Sequence, residues 1–267
     1  MKLIDCFIFY NELKMLKFRL EYLYDTVDHF VIVEATRTHA GNPKPLYFEQ
    51  HKHEFAKYLD KIVHIVVNDM PMPVHVIKRH EHHLRDTWTR EQFQRQCIDR
   101  GLQNLTITPD DVLLISDCDE IPDKNTISKY KTHKLQPGIG SLNQVLYMYN
   151  LSIQNKHVWK YAKICTYQTY INIGRNLNFI RNAATQTFDV TNGGWHFTYF
   201  GDISFIKNKL QQFAHQEYNT SKYTSEENII KCIQSNQDLF GNTTSKDFIF
   251  IDIPANSYLP DNYQCLM

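Results

Sequence analysis

Two carboxylates one residue apart, Asp117 and Asp119, follow directly on the apolar run Asp111–Ser116 (DVLLIS). Residues i and i+2 of an extended segment project to the same side, so this pair can face one ion. Mg²⁺ and Mn²⁺ take hard oxygen ligands, commonly one or two carboxylates completed by phosphate oxygens of a substrate. The chemistry that suits such a pair is neutralisation of a diphosphate as its bond to carbon breaks. An Asp-x-Asp triplet alone is a weak signal. The plain alternative is a solvated acidic turn capping a helix that starts near Asp123. What strengthens the chemical reading is position at the end of a buried strand.

The elements that must position the pair are legible in the first half of the chain. Leu3–Tyr10 is a short β-type run, followed by a helical stripe at Leu13, Leu16, Leu20, Leu23 and Val27. Asn11 stands where an N-cap belongs, with Glu12 placed favourably against the helix dipole. Two further apolar strands are expected at Phe30–Glu34 and Lys61–Val67. Thr89 and Gln92 have capping-box spacing and predict a helix running to about Gln103. Asp111–Ser116 is then the fourth strand. Alternation of apolar strands with helices predicts a mainly parallel central sheet with flanking helices, an α/β fold. Ligands of such sheets sit beyond the carboxyl ends of the strands, here Tyr10-Asn11-Glu12, Glu34-Ala35-Thr36 and Asp117-Cys118-Asp119.

The second half changes texture. Residues 140–200 are rich in Tyr, Phe, Asn and Thr, with turn signals around Asn172–Asn178 and at Gly193-Gly194. One helix is expected to carry Ile203, Ile206, Leu210 and Phe213. A second, opened by Thr224 and Glu227, carries Ile229, Ile230 and Ile233. Asp247–Ile253 reads as a last strand. No linker, repeat or low-complexity tract interrupts the 267 residues, which predicts a single domain. The change of texture divides it into parts of about 1–122 and 123–267.

Composition narrows the partners. Lys plus Arg equals Asp plus Glu at 29 each, so a global field for nucleic acid is absent. The six cysteines show no zinc spacing and no framework pattern, which predicts reduced thiols. The first residues, MKLIDCFIFYNELK, read as a strand rather than a signal peptide, and no apolar run approaches the ~20 residues of a membrane span. A soluble, cytoplasmic protein is expected.

The segments DCFIFYNELKMLKFRLEYL, VIVEATRTHAGNPKPLYF, WTREQFQR, LLISDCDEIP and GGWHFTYFGD resemble family 17 of the glycosyltransferases, the N-acetylglucosaminyltransferase III-like family. They come in the family's order from residue 5 to about 217; the tail after Asn219 adds little. The resemblance implies a GT-A type fold, with a nucleotide-binding part of about 1–122 and an acceptor-binding part of about 123–267, and metal-dependent inverting transfer. Mn²⁺ or Mg²⁺ is the implied cofactor, UDP-GlcNAc the default donor, and a glycan or glycoconjugate the acceptor. Animal members carry an N-terminal membrane anchor, and none is visible in this sequence. The other Asp-x-Asp family considered, phosphatases of the haloacid-dehalogenase type, places its pair on the first strand and continues to Thr or Val. Here Glu120-Ile121-Pro122 follows.

Within that frame several side chains acquire expected roles. Asp117 and Asp119 would hold the metal, Asp117 also facing the nucleotide-sugar. Tyr10 would stack on the base and Glu34 accept its ring N–H, the alternatives being a core aromatic and a helix-facing or salt-bridged carboxylate. Arg95 would reach a phosphate or the acidic pair. The basic stretch Lys78-Arg79-His80 with Arg85 reads as a surface face, with diphosphate contact as the minority view. The paired glycines before Trp195 allow close backbone approach, and its indole offers a face for an acceptor sugar. His196 would supply a third metal ligand, with His215 as its competitor. An inverting transfer needs a carboxylate to take the acceptor proton. Asp202, at the start of the Ile203–Phe213 helix, is the expected base, although an N-cap is the commoner task of an Asp there. Asp189, Glu91 and Glu120 are its rivals. Two other readings keep the groove but change the outcome: a retaining transferase and a silent sugar-binding module.

Overall fold

The structure, a computed structural model, describes residues 1–72, 80–184, 187–241 and 245–267, with backbone alone at 80–85 and 245. The basic stretch Lys78–His80 with Arg85 lies outside the residues whose side chains are described. In the first half, β1 (Leu3–Phe9), α1 (Leu13–Leu23), β2 (His29–Ala35), α2 (Tyr47–His51) and β3 (Ile62–Val67) are followed by α3 (His80–Gln96) and α4 (Ile98–Leu102), then β4 (Val112–Asp117). After the acidic pair come β5 (Glu120–Pro122), α5 (Lys124–Ser128), β6 (Ile139–Met148), β7 (Ile153–Asn155), β8 (Lys163–Thr166), α6 (Tyr167–Asn172), α7 (Leu177–Asn182) and β9 (Thr187–Thr198). The chain ends through α8 (Ile203–Gln212), α9 (Ser221–Thr224), α10 (Glu226–Gln234) and β10 (Phe248–Phe250).

The strands join one sheet in the order β10-β7-β6-β8-β4-β1-β2-β3, and β9 attaches to β6 and β5. The block β4-β1-β2-β3 is wholly parallel, as is the long β6–β9 pair, whereas β8, β7, β10 and β5 pair antiparallel. The mixed α/β sheet is therefore mostly parallel by length of ladder. The parallel strands β1, β2 and β4 are apolar in succession because both their faces are covered. One face carries the large cluster around Phe7, Leu16, Leu20, Phe30 and Leu114; the other carries Cys6, Val31, Ile98, Leu113 and Tyr170.

Register decides where the chemistry sits. Ile8 pairs with Asp117 and Phe9 with Glu34, so the carboxyl ends of β4, β1 and β2 come level. Antiparallel pairing of β5 with β9 sets Glu120 opposite His196 and Pro122 opposite Gly194. The paired glycines make that approach possible. A Cβ on Gly194, at φ +118°, would stand 2.0 Å from the Ile121 carbonyl oxygen, and one on Gly193 would stand 2.5 Å from the Asn143 nitrogen.

Three local expectations change. Asn11 is not the N-cap of α1. Glu12 occupies that position and turns its Oε2 back to accept from the amides of Tyr10 and Asn11, at 3.2 and 3.1 Å. The helix before β4 starts at His80 rather than Thr89. Capping-box spacing marks a start only where the preceding residues cannot continue a helix, and 80–88 contain neither Gly nor Pro. The N-cap of α10 is Ser225, one residue past the predicted Thr224.

Within α1 the stripe includes one charged member, Arg19, which is completely buried. Its Nε and Nη2 donate to both oxygens of Asp5 at 2.8 and 2.6 Å, and Nη2 also reaches Ser116 Oγ at 2.6 Å. Nη1 donates to the carbonyls of Asp117, Cys118 and Glu120 at 2.8, 3.1 and 2.9 Å. Removing one member of a buried, hydrogen-bonded ion pair leaves the other uncompensated, which costs about 3–5 kcal/mol. Arg19→Met is expected to lower the urea unfolding free energy by that amount, and a loss below about 1 kcal/mol, the range of an exposed pair, would contradict this account.

Candidate active site

A cleft of about 660 Å³ lies at the carboxyl edge of the parallel block. Tyr10 and Glu12 line it from the end of β1, Arg37–His39 from the loop after β2, and Asp117–Asp119 from the end of β4. α3 contributes Glu91, Gln94 and Arg95, and the second half contributes Trp159, Arg181, His196 and Lys209. Gln94 ties the wall together. Its Nε2 donates to the carbonyls of Phe9 and Val33 at 3.3 and 2.9 Å, bridging the ends of β1 and β2, while Oε1 meets His39 Nε2 at 2.8 Å.

The two aspartates are wired to different cations. Asp117 Oδ2 lies 2.7 Å from Arg181 Nη2, and its Oδ1 lies 3.4 Å from Arg95 Nη2. Asp119 Oδ2 lies 2.7 Å from Lys209 Nζ, and its Oδ1 lies 3.5 Å from His196 Nε2. Burial alone would raise both carboxyl pKa values. Arg181 and Arg95 outweigh it at Asp117, and Lys209 and His196 at Asp119, so both are held below the usual carboxylate range. Burial would likewise lower Lys209, but Asp119 and Glu12 outweigh it and raise the ammonium pKa. Both aspartates are therefore anionic at neutral pH.

Arg181 is shared. Its Nη1 and Nη2 also clamp Glu120 at 2.6 and 2.7 Å, and Glu120 accepts from Trp159 Nε1 at 2.6 Å and from the Asp117 amide at 2.9 Å. Glu120 has no exposed surface. Trp159 packs against His196 with ring centroids 4.4 Å apart and against Tyr161 at 4.8 Å.

Against this geometry the expected residues separate. Tyr10, Arg95, Asp117, Asp119 and His196 all line the cleft. Tyr10 is fixed by its hydroxyl, which donates to Asn208 Oδ1 at 2.8 Å, and burial together with neighbouring Tyr47 pushes its pKa up to about 12. Arg95 pairs with Glu91 at 2.7 Å as well as with Asp117. Glu34 does not line the cleft. It is fully buried and accepts from the Phe48 amide at 3.1 Å, with Lys44 and His64 at 3.4 and 3.2 Å, so it anchors the start of α2. It is thus both helix-facing and salt-bridged. Trp195 is 1% exposed, donates to the Tyr258 carbonyl at 3.1 Å and packs on Tyr22, which removes it as a sugar platform.

Among the carboxylates considered as a base, Asp202 is exposed and lies outside the lining. Its Oδ1 accepts from the Phe205 amide at 2.8 Å and from Ser204 Oγ at 2.7 Å, the work of an N-cap. Asp189 is exposed and paired with Lys160 at 2.8 Å, and Glu120 is enclosed. Glu91 does line the cleft. Of the two histidines, His196 stands beside Asp119, with Nδ1 buried and lacking a hydrogen-bond partner among the described residues. His215 lies on the rim, its Nδ1 2.7 Å from Glu217 and its ring against Trp88. Among the described residues no group of three or more His, Cys, Asp or Glu is placed to hold a metal. The expected trio of Asp117, Asp119 and His196 does not close, because Asp117 is turned toward guanidinium groups. As a donor set, two anionic hard-oxygen groups still suit a divalent ion whose other ligands come from phosphate.

Sequence reasoning missed Arg181 and Lys209, which stand in no quoted segment, and gave no role to Arg19 and Gln94, which stand in DCFIFYNELKMLKFRLEYL and WTREQFQR. Trp159 was visible only as one aromatic among many.

The fold and cleft define an α/β protein whose polar, charge-paired site opens at the carboxyl edge of a parallel sheet. The chain belongs to glycosyltransferase family 17, whose model matches residues 1–257. Over 121 residues it is 29% identical to a protein of Homo sapiens and to one of Rattus norvegicus, each named beta-1,4-mannosyl-glycoprotein 4-beta-N-acetylglucosaminyltransferase. The namesake of Mus musculus is 28% identical over the same length. These matches cover 44% of this chain and 21% of each relative. No helix among the described residues is long and apolar enough to cross a membrane.

A carboxylate whose folded pKa is depressed stabilises the fold above its unfolded pKa, about 3.9 for Asp, and that stability is lost as pH falls toward the folded value. The stability difference between the wild type and Asp119→Asn is therefore expected to be constant from pH 7 to about 5 and to shrink below about 4. Urea melts at pH 7, 5 and 3 read it out, and a difference that grows on acidification would refute the pairing.

Proposed function

We propose that this chain is a metal-dependent inverting glycosyltransferase of the GT-A type. It moves a sugar from a nucleotide diphosphate donor, by default N-acetylglucosamine from UDP-GlcNAc, onto a hydroxyl of a glycan or glycoconjugate. The carrying observation is the pair Asp117 and Asp119, ending an internal parallel strand inside a cleft that also presents Arg95, Arg181 and Lys209. Family membership gives the reaction class.

Asp117 and Asp119 would hold Mn²⁺ or Mg²⁺, with His196 beside Asp119. Bound there, the ion neutralises charge developing on the leaving diphosphate. The chain's own cations add to this effect in a partly desolvated site. The nucleotide base lies on the Tyr10 side, where the ring is held edge-on to Tyr47. Trp159, whose indole lines the cleft and is fixed by Glu120, takes the platform role that Trp195 cannot. Glu91 is the base. It removes the acceptor hydroxyl proton as that oxygen attacks the anomeric carbon opposite the diphosphate.

Asp119→Ala is expected to abolish both transfer and donor hydrolysis with an unchanged circular-dichroism spectrum; full metal-dependent activity in that variant would end this reading. Glu91→Gln should lower kcat by roughly 10²–10⁴-fold, the usual contribution of general base catalysis, with little change in donor KM. Asp202→Asn should leave kcat at the wild-type level. The reverse pattern would move the base back to Asp202. The anomeric proton coupling of the product by NMR decides between inversion and retention.

A further inference from the structure

Lys209 is the cation paired with Asp119. It projects from the last turns of α8, its side chain is 19% exposed, and its ammonium sits 2.7 Å from Asp119 Oδ2 and 4.0 Å from Glu12 Oε1. The Tyr199 ring centroid is 5.6 Å from Nζ. The contrast with Asp117 matters. Arg181 is a rigid fork held by Glu120 as well as by Asp117, so it cannot leave one carboxylate without unpairing another. Lys209 is a point charge on a flexible four-carbon stem with one short contact. Asp119 is thus the position in the acidic pair where a cation can be exchanged.

We infer that Lys209 is a displaceable counterion. It occupies Asp119 when no divalent ion is bound, gives up that oxygen when one binds, and moves its ammonium onto the diphosphate of the nucleotide. The inference rests on the metal-dependent reading. A dication and an ammonium repel strongly at the contact distances of a single carboxylate oxygen, so loading Asp119 with metal requires Lys209 to leave. Its tether keeps it in the cleft, and Glu12, 4.0 Å away, offers it no short ion pair. The incoming diphosphate, which carries the larger negative charge, competes with Glu12 for it. No bond is made or broken in this exchange; one cation replaces another on a carboxylate, and the freed cation pairs with a new anion.

The test separates this exchange from the reading beneath it. Free Mn²⁺ is followed by electron paramagnetic resonance while the metal is titrated into the full chain without nucleotide. Lys209→Met is expected to bind Mn²⁺ about tenfold more tightly than the wild type, since removing a competing charge next to the site is worth roughly that factor. Lys209→Arg, which keeps the charge on a stiffer fork, should bind it more weakly. At saturating Mn²⁺, calorimetry with uridine diphosphate should show about a tenfold loss of affinity in Lys209→Met, one charge-assisted contact being worth about that factor. Unchanged or weaker Mn²⁺ binding by Lys209→Met, in a variant that melts as a folded protein, overturns the exchange. Unchanged uridine diphosphate affinity overturns the second position of the ammonium. Asp119→Ala serves as the control: wild-type Mn²⁺ binding there would remove the metal-dependent reading itself.

Discussion

The buried guanidinium of Arg19 is the interaction on which the site depends. A charge taken wholly out of water is tolerable only when paired and hydrogen-bonded on every side. Arg19 meets that demand with the Asp5 carboxylate, the Ser116 hydroxyl and three backbone carbonyls of the turn after β4. Asp5 is the interrupting polar residue in the otherwise apolar β1. The same network therefore fixes α1 against β1 and the acidic turn against both. With the carbonyls of 117, 118 and 120 pointing inward to one cation, the carboxylates of Asp117 and Asp119 are left to the cleft.

Outside that turn, charge is arranged in two grades. The guanidinium on Asp117 belongs to a closed set, since Arg181 and Glu120 complete each other and Trp159 and the Asp117 amide finish the carboxylate. Such fully satisfied networks are stiff, because every departure exposes an unpaired charge. The ammonium on Asp119 is held at one short distance and can be replaced. Under the proposed metal-dependent transfer, the site would need both grades: one to keep its shape, the other to change partners.

Much of this was legible in the residues and some was not, for reasons that can be named. The strands β1, β2 and β4 declared themselves because burial on both faces requires mostly apolar runs, and the Asp-x-Asp at the end of β4 declared the edge that matters. Gly193-Gly194 signalled close backbone approach and delivers it, pressing β9 onto both β5 and β6. Glu34 and Trp195 misled because type and position do not report the direction a side chain takes. Glu34 faces the covered side, where α2 needs an acceptor; Trp195 alternates with His196, so the histidine reaches the cleft and the indole must enter the core. That alternation was readable from period two alone. Arg181 and Lys209 were not, since a basic residue on a helix carries no mark until the fold says what lies across from it.

Glu120 draws the halves of the chain together. It belongs to the short strand after the acidic pair, yet its partners are the Asp117 amide from the first half and Trp159 and Arg181 from the second. A carboxylate with no exposed surface is costly unless all its oxygen lone pairs are used, and here each partner supplies a donor that no other group replaces. The indole on which an acceptor would rest and the aspartate that would face the donor are thereby oriented by a single buried anion. Glu120 thus ties the end of β4, the Trp159 indole and the Arg181 guanidinium into one hydrogen-bonded set.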